Sequence, residues 1–532
     1  PSSTLSPTPE EVAGSASGRL FLERAKTASP AFELARENAI AVAAICWRLA
    51  GLPLALELAA VRTRFLDPAA LLSRLDQALS AGWARDLPER QQTMSATLDW
   101  SHDLLNEPER VLFRRLSVFS GGFSLEAAEA IGAIEEPEAV LGHFCALVEQ
   151  SLVRTTADAG RVRYGMLEPV RQYAAEKLEQ SGEAEEARRR HAKHFLAFAE
   201  RAEPRIKGHS QIEWLDRLES ENDNLRAAIG WSLEVDDAQT AARFGWALGM
   251  YWVMRSRHRE GRLWMEQTLA STDLPAKMRG RAHWALAVCM YGSGDDQRLA
   301  AVAEEGVALC RQANDRDGEA NAMGIAGFAA LMLGEFDGAT RLLEEALQIF
   351  RELGNEWASS HVLTHLALVP LRRGDYPRAA GYAGEAFTLS RRTGDRFAAN
   401  IALNVLAQAA LMSGEHGRAD HYFREALAIA HEMRDRMDAA YCIQGLAATA
   451  GARGEPRRAA RMLGSADALL ESTGAPIRAT ADRGLHQRTA SDARERLGEL
   501  VWTAAWNEGQ VMTFDEAVAY ALADIETSSE TQ

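Results

Sequence analysis

The sequence predicts a mainly α protein: a helical N-terminal segment, a winged-helix arrangement of short helices with one hairpin, then a superhelix of stacked helix pairs. Three observations carry this. Apolar residues recur at helical spacing from Leu20 onward, a single two-stranded pattern interrupts them around Leu152–Met166, and Gly followed by Asp or Glu returns every 40 residues, at Gly294, Gly334, Gly374, Gly414 and Gly454.

Composition sets the outer bounds. At about 100–200 residues per domain, a chain of 532 residues is three to five domains or a long repeat array. An apolar fraction of 47% is enough for real cores. The five cysteines (Cys46, Cys145, Cys289, Cys310, Cys442) have neither C-x-x-C nor zinc spacing. A formal charge of −16 argues against a chain built to coat nucleic acid. The most apolar stretch, Ala39 to Val61, is interrupted by Arg48, Pro53 and Glu57 and is no membrane span. With no initiator Met and no signal segment, the expectation is a cytoplasmic fragment of a longer product that does not engage membranes.

In chain order, residues 1–18 are rich in Pro, Ser and Gly and read as linker. Helices are expected over Leu20–Ala28, Asn38–Leu49 and Leu54–Arg64, with Gly51 where one stops and Pro53 where the next begins, then from Asp67-Pro68 through Leu79. Four short helices follow: Thr93–Leu105, Pro108–Phe119, Ser124–Ile131 and Pro137–Leu147. Leu152–Thr155 and Arg161–Met166, joined at Asp158-Ala159-Gly160, read as a hairpin, and Glu168–Gln180 as a further helix. The candidate recognition helix, Pro137–Gln150, has no Lys or Arg and carries Glu138 and Glu149, so a spacer is favoured over a DNA reader despite Arg154, Arg161 and Arg163 in the hairpin.

From about residue 190 the repeat takes over. Seven residues before each turn glycine stands Ala287, Gly327, Ala367, Ala407 or Ala447. Five after, in the last four copies, stand Ala339, Ala379, Ala419 and Ala459, and twelve after, Ala346, Ala386, Ala426 and Ala466. Gly-acid makes the turn between antiparallel helices, and the small residues mark close helix approach. One pair cannot bury its apolar face alone, so pairs must stack. The frame resembles the tetratricopeptide repeat (TPR), lengthened from its usual period of about 34 by less than one turn per helix. Past Arg496 there is no Lys or Arg but seven acids, which reads as capping helices over 481–532 ending in an acidic tail.

Catalytic patterns are missing from the sequence. It has no G-x-x-x-x-G-K-[ST], no G-x-S-x-G, and no second His at metal spacing from His431-Glu432. His191 and His194 read as solvent-facing structural residues, Glu183–Glu186 as a solvated face, and the six tryptophans between Trp214 and Trp284 as core welding the first repeats to the winged helix. No catalytic or metal residue is assigned, and the chain as given is not expected to be an enzyme.

The most specific local signal is Cys46-Trp47-Arg48-Leu49-Ala50-Gly51-Leu52-Pro53-Leu54-Ala55-Leu56-Glu57-Leu58. With Arg85–Thr93, Leu98-Asp99-Trp100-Ser101, Phe113–Phe119, Trp214–Glu219 and Asp223–Ala228, it resembles the STAND class of signal-transduction ATPases, in particular the bacterial LuxR-type and antibiotic-regulatory-protein branch. The resemblance implies a helical lid of an NB-ARC nucleotide module at 19–84, a winged helix at 85–185 and a TPR-like array at 190–480. It places Gly51, Leu52 and Pro53 on the adenine side of a nucleotide whose P-loop would precede Pro1. Met166-Leu167-Glu168 stands where other members carry Met-His-Asp, and Leu167 cannot donate the phosphate hydrogen bond. Accordingly no cofactor is expected in this fragment, with ADP or ATP implied for the full-length protein. The implied partners are an upstream ATPase domain in cis and a protein or small-molecule inducer at the repeats, with self-association on activation and no direct DNA contact. The alternative is a stand-alone TPR scaffold that recruits proteins; a third reading is a transcription factor that contacts DNA through residues 85–185.

Overall fold

The computed structural model describes residues 7–80, 97–132, 137–158, 161–473 and 481–523. They fall into two compact units: Pro1–Phe195 with Ser220–Ala228, and Leu196–Glu219 with Ile229–Gln532.

In the first unit, the linker reading of residues 1–18 fails from Pro9 onward. Helix Pro9–Gly14 begins with proline in its first turn, and Thr8 and Glu11 cap each other reciprocally: Glu11 N donates to Thr8 Oγ1 at 3.3 Å and Thr8 N to Glu11 Oε2 at 2.9 Å. Ser15 then accepts from Gly18 N at 3.0 Å and starts helix Ala16–Ala28. These residues look like linker by composition, yet Ser, Thr and Pro are also what helix starts require. Helices Arg36–Arg48, Pro53–Val61 and Pro68–Ser80 follow. Phe21, Val42, Ile45, Leu56, Leu71 and Trp100 share one core.

The winged-helix part comprises a helix at 97–103, then Glu107–Arg115, Leu125–Gly132, Pro137–Glu149 and Glu168–Ser181. Its strands β1 (Arg154–Asp158) and β2 (Arg161–Gly165) are antiparallel, with Arg154 opposite Gly165. Phe123 bridges to Tyr164, and the stacked Phe119 and Phe123 rings, 4.4 Å apart, fill the space behind. The quoted stretch Arg85–Thr93 and the turn residues Ala159-Gly160 lie outside the described residues.

The second unit is the repeat array. Each repeat is an A helix and a B helix: Arg316–Met332 with Phe336–Glu352, Glu356–Arg373 with Tyr376–Thr393, Arg396–Met412 with His416–Glu432, and Arg436–Ala452 with Pro456–Thr473. Ala238–Met254 with His258–Ala270, and Ala276–Cys289 with Asp296–Gln312, precede them. The five turn glycines all have φ between +79° and +85°, the left-handed conformation that ends an A helix and that glycine adopts without strain. All the register alanines seven before, five after and twelve after the glycines are fully buried. A second set of left-handed turns, at Asn314, Gly354, Gly394 and Arg434, lies midway between the glycines and joins each B helix to the next A helix. After these turns Asn355, Asp395 and Asp435 cap the A helices, accepting from Ala358 N, Ala398 N and Asp438 N at 3.0–3.2 Å.

The superhelix comes round on itself. Gln211 donates to Asp395 Oδ1 at 2.8 Å and accepts from Arg396 N at 2.9 Å, while Arg255 donates to the Met433 carbonyl at 3.0 Å. At the other end, helix Glu499–Gln510 crosses helix Pro456–Thr473 at close range: a Cβ on Gly464 would lie 2.0 Å from the Trp506 carbonyl oxygen, and one on Gly509 1.9 Å from the Arg461 carbonyl oxygen. Helix Phe514–Leu522 completes the cap, held by Arg424 donating to the Leu522 carbonyl at 2.7 Å. No described helix is long and apolar enough to cross a membrane.

Candidate functional site

At the lid corner, helix Arg36–Arg48 ends in two left-handed residues, Ala50 (φ +51°) and Gly51 (φ +66°). Leu52 holds the N-cap position of the next helix and Pro53 its first turn, where a missing N–H costs nothing. Leu54, Ala55 and Leu56 are buried, whereas the Pro53 ring is exposed. The three predicted site residues therefore form one tight corner with an accessible apolar tip. Among the described residues no group of three His, Cys, Asp or Glu side chains could hold a metal ion.

Two of the hairpin arginines, Arg154 and Arg163, are already engaged. Arg154 pairs with Glu57, and Arg163 makes two hydrogen bonds to the buried Glu221, the longer 3.2 Å. On the candidate recognition helix, Glu149 and Gln150 accept from Arg64 and Arg62 at 3.2 and 3.1 Å. Leu167 occupies the N-cap of helix Glu168–Ser181, and Glu168 is held well below its usual range, to about 2, by hydrogen bonds from Arg171 and Gln172.

His191 corrects the reading from sequence: it is 3% exposed, packed against Phe119 and Phe195, with Nε2 3.4 Å from Asn224 Oδ1. Burial pushes its pKa down to about 4. Asn224 is the hub there: Ser120 N donates to it at 2.8 Å, and it donates to the Gly122 carbonyl and to Glu221, both at 2.7 Å. The sequence marked this asparagine only within a quoted motif, with no role. Of the acidic run, Glu185 and Glu186 are exposed, but Glu183 is half-buried and binds Arg114 and Arg115 at 3.0 and 3.1 Å.

The second unit holds a cavity of about 410 Å³ between the inner faces of the A helices. Its lining follows the repeat frame: Asn321, His361, Ile401 and Tyr441 stand thirteen residues before successive turn glycines, and Phe328, Leu368 and Gln408 six before. These positions are not conserved in type from repeat to repeat, so a search for shared letters passes over them. The period itself is the signal that could have found them. Trp284, one of the tryptophans expected to be core, also lines the cavity and packs on Trp246 at 4.7 Å.

Polar groups around the cavity are mostly partnered. His361 Nε2 lies 2.7 Å from Oδ2 of the fully buried Asp395. Burial alone would raise the Asp395 pKa, but His361, Gln211 and the Ala398 N–H together hold it below the usual range. Tyr291 Oη meets His365 Nε2 at 3.1 Å. Asp296, near Arg372, is pushed up by burial. Trp357, 8% exposed, carries Lys207 over its ring at 4.3 Å, and its indole N–H has no acceptor among the described residues.

Residues 105–179 match the family model of the winged helix-turn-helix domain. A Mycobacterium tuberculosis protein named as an HTH-type transcriptional regulator, Rv0890c, and its Mycobacterium bovis counterpart Mb0914c are each 36% identical over 362 residues, covering 65% of this chain and 40% of theirs. The chain thus spans 40% of the length of these relatives. The uncharacterized protein Rv0894 of M. tuberculosis is 44% identical over 181 residues, 33% of this chain and 46% of that one. Among solved structures, the chain is similar to PH0952 from Pyrococcus horikoshii, a Signal Transduction ATPase with Numerous Domains (STAND) protein with a tetratricopeptide repeat sensor: 15% identity, TM-score 0.48, covering 94% of this chain and 71% of that one. A Rap protein complexed with Competence and Sporulation Factor matches at 15% identity and TM-score 0.42, over 56% of this chain and 82% of that one.

Proposed function

We propose that this chain is the joint-and-sensor portion of a STAND-type ATPase that regulates transcription, its repeats binding an inducer that controls a nucleotide switch in an upstream module. The observation that carries the reading is the cavity lined in register by the A helices. A stack of like units has built a concave, aromatic-lined site, which suits a sensor better than a flat recruiting surface. The regulator names of the mycobacterial relatives support a transcriptional output.

The corner at Gly51-Leu52-Pro53 suits the adenine side of a nucleotide site, because an exposed proline ring on a rigid turn offers an apolar surface to a base. It offers nothing to phosphates, and Leu167 has no side-chain donor for them. Most nucleotide affinity comes from backbone N–H groups, lysine and Mg²⁺ around the phosphates, which the upstream module would supply. The winged helix serves as the joint, its Arg154 and Arg163 spent on internal carboxylates and not on DNA. The inducer must bind the active state more tightly than the resting one for the switch to turn.

The test is the upstream coding sequence together with calorimetry. A Walker A lysine within about 300 residues, one to two domain lengths, is expected. A nearby start codon with no such lysine overturns the switch in favour of the scaffold. The chain alone should bind ADP negligibly, and micromolar binding would contradict the division of labour between the two modules.

A further inference from the structure

We infer that the repeat cavity takes an uncharged, predominantly aromatic small molecule that presents a hydrogen-bond acceptor to the Trp357 N–H. This rests on the sensor reading above and specifies its inducer class. The volume of about 410 Å³ lies within the range of small-molecule sites, about 300–1,000 Å³. The wall is dominated by Trp284, Phe328, Trp357, Phe397 and Tyr441, surfaces that reward planar apolar rings.

The polar inventory narrows the choice. A peptide brings one N–H and one C=O per residue, each needing a partner once buried. Much of the polar inventory of the wall is already engaged. His361 is spent on Asp395, His365 on Tyr291, Asn321 on the Asp317 carbonyl at 2.8 Å and Asn404 on the Asn400 carbonyl at 3.1 Å. Buried in this lining without an acceptor among the described residues is the Trp357 N–H, while Gln408, Tyr441 and the second ring or guanidinium nitrogens of His365 and Arg372 add further polar atoms. An orphan donor of this kind is matched by one acceptor on a ligand.

Charge points the same way. Arg372 acts on Asp296 within the same lining, and Asp438 adds a second acid, which disfavours an anion. The place of a cation on the Trp357 face is already taken by Lys207.

The test uses the full chain and prodan, an uncharged naphthalene fluorophore with one ketone oxygen whose emission shifts to the blue in apolar surroundings. Saturable one-to-one binding with a blue shift is expected. Ile401→Trp and Leu368→Trp, which fill the cavity from two different repeats, should each weaken it at least about tenfold. Gln348→Trp on an exposed B-helix face should leave it unchanged. Trp357→Phe should weaken it about 3- to 10-fold, the worth of one hydrogen bond, with circular dichroism confirming that each variant is folded. N-phenyl-1-naphthylamine, which lacks the ketone, should be indifferent to Trp357→Phe. Binding that survives both filling variants, or a cationic or anionic naphthalene that binds more tightly than prodan, overturns the inference. A chain that ignores prodan but answers to a peptide inducer overturns this inference and leaves the sensor reading intact. A chain that binds prodan as expected but belongs to no ATPase does the reverse.

Discussion

Gln211 and Asp395, 184 residues apart in the chain, are joined by a 2.8 Å hydrogen bond in the closed interior of the repeat unit. The same glutamine accepts from Arg396 N and Phe397 N at 2.9 and 3.2 Å, so one side chain caps a helix start and feeds a buried carboxylate.

Replacing Gln211 by Ala leaves the fully buried Asp395 short of a donor and two backbone N–H groups short of an acceptor. The expected loss is about 2–3 kcal/mol, read as a lower urea midpoint for the repeat unit. Hydrogen exchange should rise first around residues 393–398. A variant within about 0.5 kcal/mol of the parent would mean that the contact is ornamental.

The first unit should weaken in mild acid because of His191. Its pKa in the fold is about 4, below the value of about 6.5 expected unfolded. Above pH 6.5 both states are neutral and the full stability is present. As pH falls from 6.5 towards 4, only the unfolded chain takes up the proton, so stability drains away, by about 2 kcal/mol at pH 5, and stops falling below pH 4. Hydrogen exchange of peptides spanning Phe119 and Phe195, measured at pH 7 and 5, reports it. His191→Gln should remove most of the slope.

Arg163→Ala should cost about 3 kcal/mol, because it strands the buried Glu221 carboxylate. If the winged helix is a joint, neither the parent nor this variant will show salt-dependent retention on duplex DNA. A steep salt slope in the parent, reduced by Arg154→Ala, would instead favour direct DNA reading.

Two glycine substitutions should act in opposite directions. A methyl on Gly464 would stand 2.0 Å from the Trp506 carbonyl oxygen, so Gly464→Ala should displace the capping helix, cost about 3 kcal/mol and break the 3.0 Å hydrogen bond from Trp506 Nε1 to Asp467. A red shift of tryptophan emission is the readout. Gly381→Ala, on an exposed helix face with nothing within 4 Å, should stabilise by up to about 1 kcal/mol.

What could be read from sequence was whatever one residue type must do. Gly294 and its four successors share a letter because each turn needs φ near +80°, and the register alanines share one because helices touch there. The intervening turns at Asn314, Gly354, Gly394 and Arg434 have the same positive φ but no common letter, so the halved period of 20 residues stayed hidden. The corner at Gly51-Leu52-Pro53 was legible because glycine and proline punctuate helices. The cavity was not. Asn321, His361, Ile401 and Tyr441 share a register and no chemistry, and which face curves inward depends on the stacking of all the pairs. Pro9–Gly14 is a helix that composition alone points away from, because linkers and helix starts draw on the same residues. The burial of His191 is invisible in the sequence, because a pair of histidines one turn apart says nothing about Phe119, far upstream, closing over one of them.

The fastening of Gln211 and Arg255 onto the turns at Asp395 and Met433 has a mechanical consequence. A coil clasped near both ends cannot change its pitch by stretching freely, so the small rotations between neighbouring pairs add up and arrive at the clasp as one larger displacement. Opening the coil between those points therefore means breaking the Gln211 and Arg255 hydrogen bonds first.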